Sequence, residues 1–173
     1  MILDTSAFLA GFDPFSVIKD QVTVPQVEEE IRSNSMIWVR FKTAVENGKV
    51  EIKAPSKDAW NRAKASANKV GDTFFLSKTD LQVLALASDF KAKGFTPQIV
   101  TDDYSIQNVA SKMKIDFISL ATFGIRRLLE WIRYCPACHR KYPADYNSEE
   151  CIVCGTLLKR KPRRTNRNFK HAK

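Results

Sequence analysis

Short apolar runs alternate with stretches of helical period along residues 1–120. "MIL" at the start and "QVTV" at 21–24 read as buried strands. "KVEIKA" at 49–54 alternates and predicts a third strand at or near a sheet edge. "QIV" at 98–100 is wholly apolar, and "DFISL" at 116–120 is a fifth strand candidate. Helices are predicted between them, near 5–11, 25–47, 56–70, 78–93 and 104–113, with Gly48, Gly71 and Gly94 at three of their ends. This alternation predicts an α/β domain, a parallel sheet of about five strands flanked by helices. No internal repeat is visible, and "ATFGIRRLLEWIRY" at 121–134 leads out of the pattern.

In open parallel sheets, sites form outside the carboxyl ends of the strands. Three segments deliver acids to element ends: Asp4 directly after "MIL", Asp102 and Asp103 after "QIVT", and Asp80 at the opening of the helix "TDLQVLALASDF". A fourth comes from "VPQVEEEIRSNSMIWVRFKTAV". Read as one continuous helix, it places Val27, Ile31, Trp38, Phe41 and Val45 on one apolar arc. Glu28 and Glu29 point away from that arc, whereas Glu30 falls inside it, where a carboxylate needs a partner. Each acid also has a purely structural reading. Asp4 and Asp103 could cap the helices that follow them, Asp80 could complete a capping box with Ser77, and Glu30 could pair with Arg32 or a lysine. As a set, they suit a hard divalent cation such as Mg²⁺ or Mn²⁺, which prefers carboxylate oxygens and can activate water toward a phosphodiester. No histidine occurs in the first 138 residues, so a histidine-based nuclease mechanism is excluded there. Neither G-x-x-x-x-G-K-[ST] nor G-x-G-x-x-G occurs, which disfavours nucleotide binding.

All four cysteines, Cys135, Cys138, Cys151 and Cys154, stand in "CPACHRKYPADYNSEECIVCG", a C-x₂-C-x₁₂-C-x₂-C pattern. Two such knuckles bring four thiolates to one tetrahedral Zn²⁺, and the metal then holds a module too small for a core of its own. A single iron or a pair of disulfides are the rival readings. His139 is expected at the surface, since four cysteines complete the shell. Tyr134, Arg140, Lys141, Tyr142 and Tyr146 could meet bases and phosphates, or the aromatics could pack around the metal site.

Charge changes the picture at the end of the chain. Residues 159–173, "KRKPRRTNRNFKHAK", hold eight Lys or Arg and no acid, +8 of the formal net charge of +9. Such a block is expected to stay disordered until it meets a polyanion, nucleic acid before membrane because no amphipathic apolar face accompanies it. The nucleic-acid-contact candidates are Arg140, Lys141, Lys159, Arg160, Lys161, Arg163, Arg164 and Arg167. With 44% apolar residues, no membrane-length apolar run and no basic leader, the expectation is a soluble, cytoplasmic protein. Its expected organisation is an α/β domain over 1–122, a linker and first ribbon strand over 123–134, a zinc ribbon over 135–158 and the basic tail over 159–173.

"ILDTSAF", "VPQVEEEIR", "LSKTDLQVLALA" and "VTDDYSIQNVA", in this order, resemble a PIN-type nuclease domain over roughly residues 1–120. The resemblance implies catalytic acids Asp4, Glu30, Asp80 and Asp103, the last in a Thr-x-Asp element with Thr101. Many relatives carry a further acid where this chain has Ser105, which leaves Asp102 as a possible substitute ligand. With the cysteine module and basic tail attached, the whole chain resembles the Nin-one-binding endonucleases of ribosome assembly. "LSKTDLQVLALA", "DYSIQNV" and "IRYCPACHRKY" are the most specific points of likeness, and the short, uninterrupted architecture is similar to the archaeal type. That family implies a Mn²⁺- or Mg²⁺-dependent endoribonuclease cutting precursor small-subunit rRNA near its 3′ end, with structural zinc. It also implies contact with the pre-ribosomal small subunit and a KH-domain assembly partner. A PIN-type toxin ribonuclease and a non-catalytic rRNA-binding assembly factor are the alternatives.

Overall fold

The structure is a computed structural model that describes residues 1–72, 75–125 and 128–163. Five short strands, β1 (Ile2–Leu3), β2 (Gln21–Thr23), β3 (Val50–Ile52), β4 (Gln98–Val100) and β5 (Asp116–Ile118), form one sheet. Its order is β3-β2-β1-β4-β5, and every pairing is parallel. The expected edge position of the third strand is the observed one. Because the chain winds from β1 to one side and later from β4 to the other, the strand order reverses between β1 and β4. Their carboxyl ends therefore flank a crevice that no crossover connection covers.

Among the described residues six α-helices accompany the sheet: α1 (Thr5–Leu9), α2 (Pro25–Ile31), α3 (Ser35–Glu46), α4 (Lys57–Val70), α5 (Lys78–Ala92) and α6 (Tyr104–Lys112). The helix predicted over 25–47 is two helices. The break falls at Arg32–Asn34, where the Asn34 side chain accepts the Ile37 N–H at 3.3 Å and caps α3. Asparagine offers the backbone this local alternative to a continued helix, and the apolar arc drawn through Ser33 and Asn34 overlooked it. Helix α5 packs on β1 and β4 and is enclosed on nearly all sides, with Leu81, Val83, Leu84, Ala85, Leu86 and Ala87 all buried. Ala59, Ala63 and Ala67 form a stripe of fully buried small residues on α4, which lets α4 and α5 approach closely.

A second, antiparallel sheet has the order β7-β6-β8, built from β6 (Glu130–Tyr134), β7 (Lys141–Tyr142) and β8 (Lys159–Arg163). Residues 159–163, expected from their charge to begin a disordered tail, instead pair along the whole of β6, from Tyr134↔Lys159 to Glu130↔Arg163. Cross-strand stacking explains the difference: Lys161 lies over the Tyr134 ring at 4.2 Å and Arg160 over the Trp131 ring at 3.6 Å. The rest of the expected tail, including Arg164 and Arg167, lies outside the described residues. Among the described residues no helix is long and apolar enough to cross a membrane.

Candidate active site and cysteine cluster

The crevice between β1 and β4 is organised by hydroxyl groups. Asp4, 4% exposed, follows β1 and occupies the N-cap position of α1. Its Oδ2 accepts hydrogen bonds from Ser6 Oγ at 2.7 Å and from the fully buried Thr101 Oγ1 at 2.8 Å. The same two hydroxyls accept backbone N–H groups from the segment after β4, Asp102 N to Ser6 Oγ at 3.0 Å and Asp103 N to Thr101 Oγ1 at 3.1 Å. Asp103 caps α6, its Oδ1 accepting Ser105 N at 2.6 Å and Ile106 N at 3.3 Å. Glu30, at the end of α2, accepts from Thr5 on one oxygen and from Thr79 on the other. Asp80 closes a reciprocal capping box with Ser77, as its spacing suggested.

Electrostatics tie these acids together. Burial pushes the Asp4 carboxyl above its ordinary range, against the opposing hydrogen bonds of Ser6 and Thr101. The Asp80 carboxyl is pushed up to about 6, by burial first, with the Ser77 hydrogen bonds opposing and the charges of Asp4 and Asp103 adding to the rise. Among the described residues, none of Asp4, Glu30, Asp80 or Asp103 forms an ion pair. Carboxylate oxygens of this kind suit a hard cation, whereas among the described residues the group whose donor atoms already lie within reach of one ion is the four cysteines. A separate cleft of about 710 Å³ opens at the amino end of the strands, lined by residues such as Met1, Asp20, Lys49 and Phe95, and holds none of these acids.

Two expectations are corrected. Glu30 is exposed rather than on a packed face, because α2 ends one residue later; Thr5 and Thr79, not an apolar arc, give it its direction. Arg32 pairs with Glu28 instead, at 2.8 Å. Asp102 does not join the crevice. Its Oδ1 accepts Leu120 N, Thr122 N and Thr122 Oγ1 at 3.0–3.1 Å, and Ala121 N reaches both oxygens at 3.1 Å. Although burial acts the other way, these bonds hold its carboxyl below the usual range. Asp102 is a loop anchor that fixes 120–122 against the end of β4.

The four cysteine sulfurs all lie within 4.8 Å of one another. The separations Cys135–Cys154 and Cys138–Cys151 are 3.4 and 3.5 Å, far beyond a disulfide bond of about 2.05 Å and close to the edge of a tetrahedral thiolate shell. Tyr142 is buried with its hydroxyl 2.9 Å from Cys151 Sγ and its ring 4.5 Å from that of Tyr146, so these two tyrosines pack at the cluster rather than await a base. His139 is exposed, with φ +60°.

Residues 1–90 match the family model described as "PIN domain of ribonuclease". The chain is 36% identical to the Endoribonuclease Nob1 of Methanothermobacter thermautotrophicus over 163 residues, 94% of this chain and 93% of that protein. It is 34% identical to the Endoribonuclease Nob1 of Pyrococcus abyssi, over 95% of this chain and 94% of that one. The chain belongs to the Nob1 family of endoribonucleases. Ribonuclease VapC1 of Thermoplasma acidophilum is also similar, 31% identical over 92% of this chain and 76% of that protein.

As a Nob1-type endoribonuclease with a PIN domain, the chain presents exposed cations on its ribbon: Arg140, Lys141, Lys159 and Arg163. Arg160 stands apart from this set. It is drawn inward to the buried Asp72, at 3.3 Å, and clasped between aromatic rings. Sequence reasoning on this Nob1-type chain missed Asp72, Gln107 and Asn108, polar groups that are 0–2% exposed. The signal was present: "QN" sits between Ile106 and Val109 on the apolar side of α6, and Asp72 directly follows the glycine that ends α4.

Proposed function

We propose that Asp4, Glu30, Asp80 and Asp103 hold Mg²⁺ or Mn²⁺ and that the chain cuts precursor small-subunit rRNA near its 3′ end. The reading rests above all on one observation. Thr101 joins Asp4 to the Asp103 backbone, Thr5 and Thr79 hold Glu30 next to Asp80, and the Asp80 carboxyl feels the charges of Asp4 and Asp103, while among the described residues none of the four has an ion-pair partner. Bound to these oxygens, a divalent cation supplies Lewis acidity toward a phosphodiester and activation of water. The chain's own part is to fix the donors. Thr101 and Ser6 aim Asp4, Thr5 and Thr79 aim Glu30, Ser77 holds Asp80, and the first turn of α6 holds Asp103. Hydrolysis in this manner leaves 5′-phosphate and 3′-hydroxyl ends.

The four thiols fit Zn²⁺, and metal analysis of the purified protein separates zinc from iron. Arg140, Lys141, Lys159, Lys161 and Arg163, with Arg164 and Arg167 beyond the described residues, meet RNA phosphates, which fix register rather than read sequence. The relatives' printed name supports an RNA substrate, and the family resemblance alone carries the pre-ribosomal small subunit and a KH-domain assembly factor as partners, in the cytoplasm.

The test is cleavage of a single-stranded RNA spanning the 3′ end of small-subunit rRNA, with Mn²⁺, Mg²⁺ or chelator. Cutting at one place, only with a cation, is the expected result. Scattered cutting favours a toxin-type ribonuclease, a reading kept open by the likeness to VapC1. No cutting with either cation overturns the proposal and leaves a non-catalytic RNA-binding factor.

A further inference from the structure

The ribbon is seated on the nuclease domain through a buried polar node. Asp72, 1% exposed at the end of α4, accepts from Asn108 Nδ2 of α6 with one carboxylate oxygen and holds Arg160 Nη1 of β8 at 3.3 Å from the other. The Trp131 side chain of β6 also faces this carboxylate and favours its ionised form. The Arg160 guanidinium lies between the Phe75 ring, at 3.7 Å, and the Trp131 ring, at 3.6 Å. Such planar stacking plus an ion pair is what arginine, and not lysine, supplies.

Three further observations place the same seam under close packing. Gly71, at φ +80°, faces the ribbon so tightly that a Cβ there would stand 2.8 Å from Ala144 Cβ and 3.0 Å from Trp131 Cβ. Asn108 also brackets Leu129, donating to its carbonyl and accepting its N–H, each at 2.7 Å, so the chain is fixed just before it enters β6. Gln107 does the same for the preceding loop, donating to Thr101 O and Ser119 Oγ and accepting Ile125 N, all at 2.9 Å. Ser119, Ile125 and Leu129 are thus each bound to α6, the helix capped by Asp103. Phe75 lies two residues before Ser77 of the Asp80 capping box, and the Asp103 charge is felt by both Asp80 and Asp72. The seam borders a groove of about 580 Å³ lined by Phe75, Trp131, Arg133 and Lys159 among others.

We propose that Asp72 and Arg160 are positioning residues that lock the ribbon to the nuclease domain, so that an RNA strand held by the ribbon is delivered in register to the acid crevice. This rests on the chain's endoribonuclease activity, not on the identity of its ion or the choice of rRNA. Arg160 on this view does not serve as a phosphate contact. Its charge is spent inside the protein.

The experiment uses the full, metal-loaded chain and the variants Asp72→Asn, Arg160→Ala and Arg160→Lys. Two substrates are compared: a long single-stranded RNA and a tetranucleotide too short to touch crevice and ribbon together. Amide ¹⁵N relaxation reports whether the two domains tumble as one. The wild type is expected to show one correlation time. Asp72→Asn and Arg160→Ala are expected to give separate correlation times and to lower kcat/KM on the long RNA at least tenfold, with tetranucleotide cutting unchanged. Arg160→Lys, keeping charge but not stacking, falls between. Asp72 is the discriminating position, since it is buried and anionic. Were Arg160 only a phosphate contact, Asp72→Asn would leave long-RNA cleavage intact or raise it, and that result overturns the proposal. Independent tumbling in the wild type overturns it too, as does an equal loss on both substrates. A wild type that cuts neither RNA counts against the activity instead, and relaxation alone then decides the docking.

Discussion

The Thr101 hydroxyl donates to Asp4 Oδ2 at 2.8 Å, across the point where the strand order of the sheet reverses. Thr101 Oγ1 in turn accepts the Asp103 N–H at 3.1 Å, so one buried side chain sets the spacing of two acids from different strands. Removing it should act through Asp4 and Asp103 rather than on them directly. Thr101→Val is expected to lower cleavage by about 10–100-fold, the range typical of groups that orient metal ligands, while leaving the melting profile cooperative. Thr101→Ser, which restores the hydroxyl, should recover most of the rate.

The role proposed for Asp4 sets stability against function. Its folded-state carboxyl titrates above the ordinary 3.8, so its favourable contribution to folding is complete below that value and is lost as pH rises through the folded value. At neutral pH without divalent cation, Asp4→Asn is therefore expected to melt at or above the wild-type temperature. Cleavage by the same variant should fall below detection. A variant that is both less stable and still active would show that Asp4 is only a structural cap.

For Asp80 the carboxyl stands at about 6, raised by burial and by the neighbouring charges of Asp4 and Asp103. Ionisation of Asp80 is thus disfavoured by folding. Its contribution to stability is full below about 3.8 and disappears as pH climbs toward 6. An NMR titration of the cation-free protein should place the Asp80 midpoint near 6, and adding Mg²⁺ should move it down, because a cation favours the ionised form. No movement on adding the cation would separate Asp80 from the metal.

Much of the fold is legible in the sequence because strand and helix periods are local properties. "MIL", "QVTV", "KVEIKA", "QIV" and "DFISL" all contribute strands to the sheet, and Ser77–Asp80 announces its capping box by spacing alone. The acids Asp4, Asp80 and Asp103 are visible for the same reason, since they abut element ends. What is not legible depends on partners far along the chain. Glu30 is directed by Thr5 and Thr79 rather than by helix phase. Asp102, adjacent to Asp103, is claimed by the loop at 120–122, eighteen or more residues away. Arg160 reads as one cation in a basic run, yet it is held by Asp72, Phe75 and Trp131, and charge density carries no sign of that.

Asp102 and Asp103 should therefore behave oppositely. Asp102→Ala removes a carboxylate that satisfies three backbone N–H groups, and is expected to cost about 1–3 kcal/mol of stability while cleavage stays within a few-fold of wild type. Asp103→Asn is expected to stop cleavage. Equal loss of activity in both would place Asp102 at the ion after all.

The basic end of the chain is best tested by trimming only residues 164–173, since Lys159–Arg163 belong to β8. This removes Arg164, Arg167, Lys170 and Lys173. If all four meet phosphates of single-stranded RNA, the slope of log K against log salt should fall in magnitude by up to about 3, at about 0.7 per contact. An unchanged slope would show that the segment makes no phosphate contact.

Paramagnetic broadening of backbone amides by Mn²⁺ tests the acid crevice most directly. Substoichiometric Mn²⁺ should bleach signals from residues 4–6, 30, 79–80 and 101–103 first, and Asp4→Asn should abolish that bleaching. Broadening centred on other acids, or bleaching of the crevice that survives Asp4→Asn, would contradict a shared ion held by Asp4, Glu30, Asp80 and Asp103.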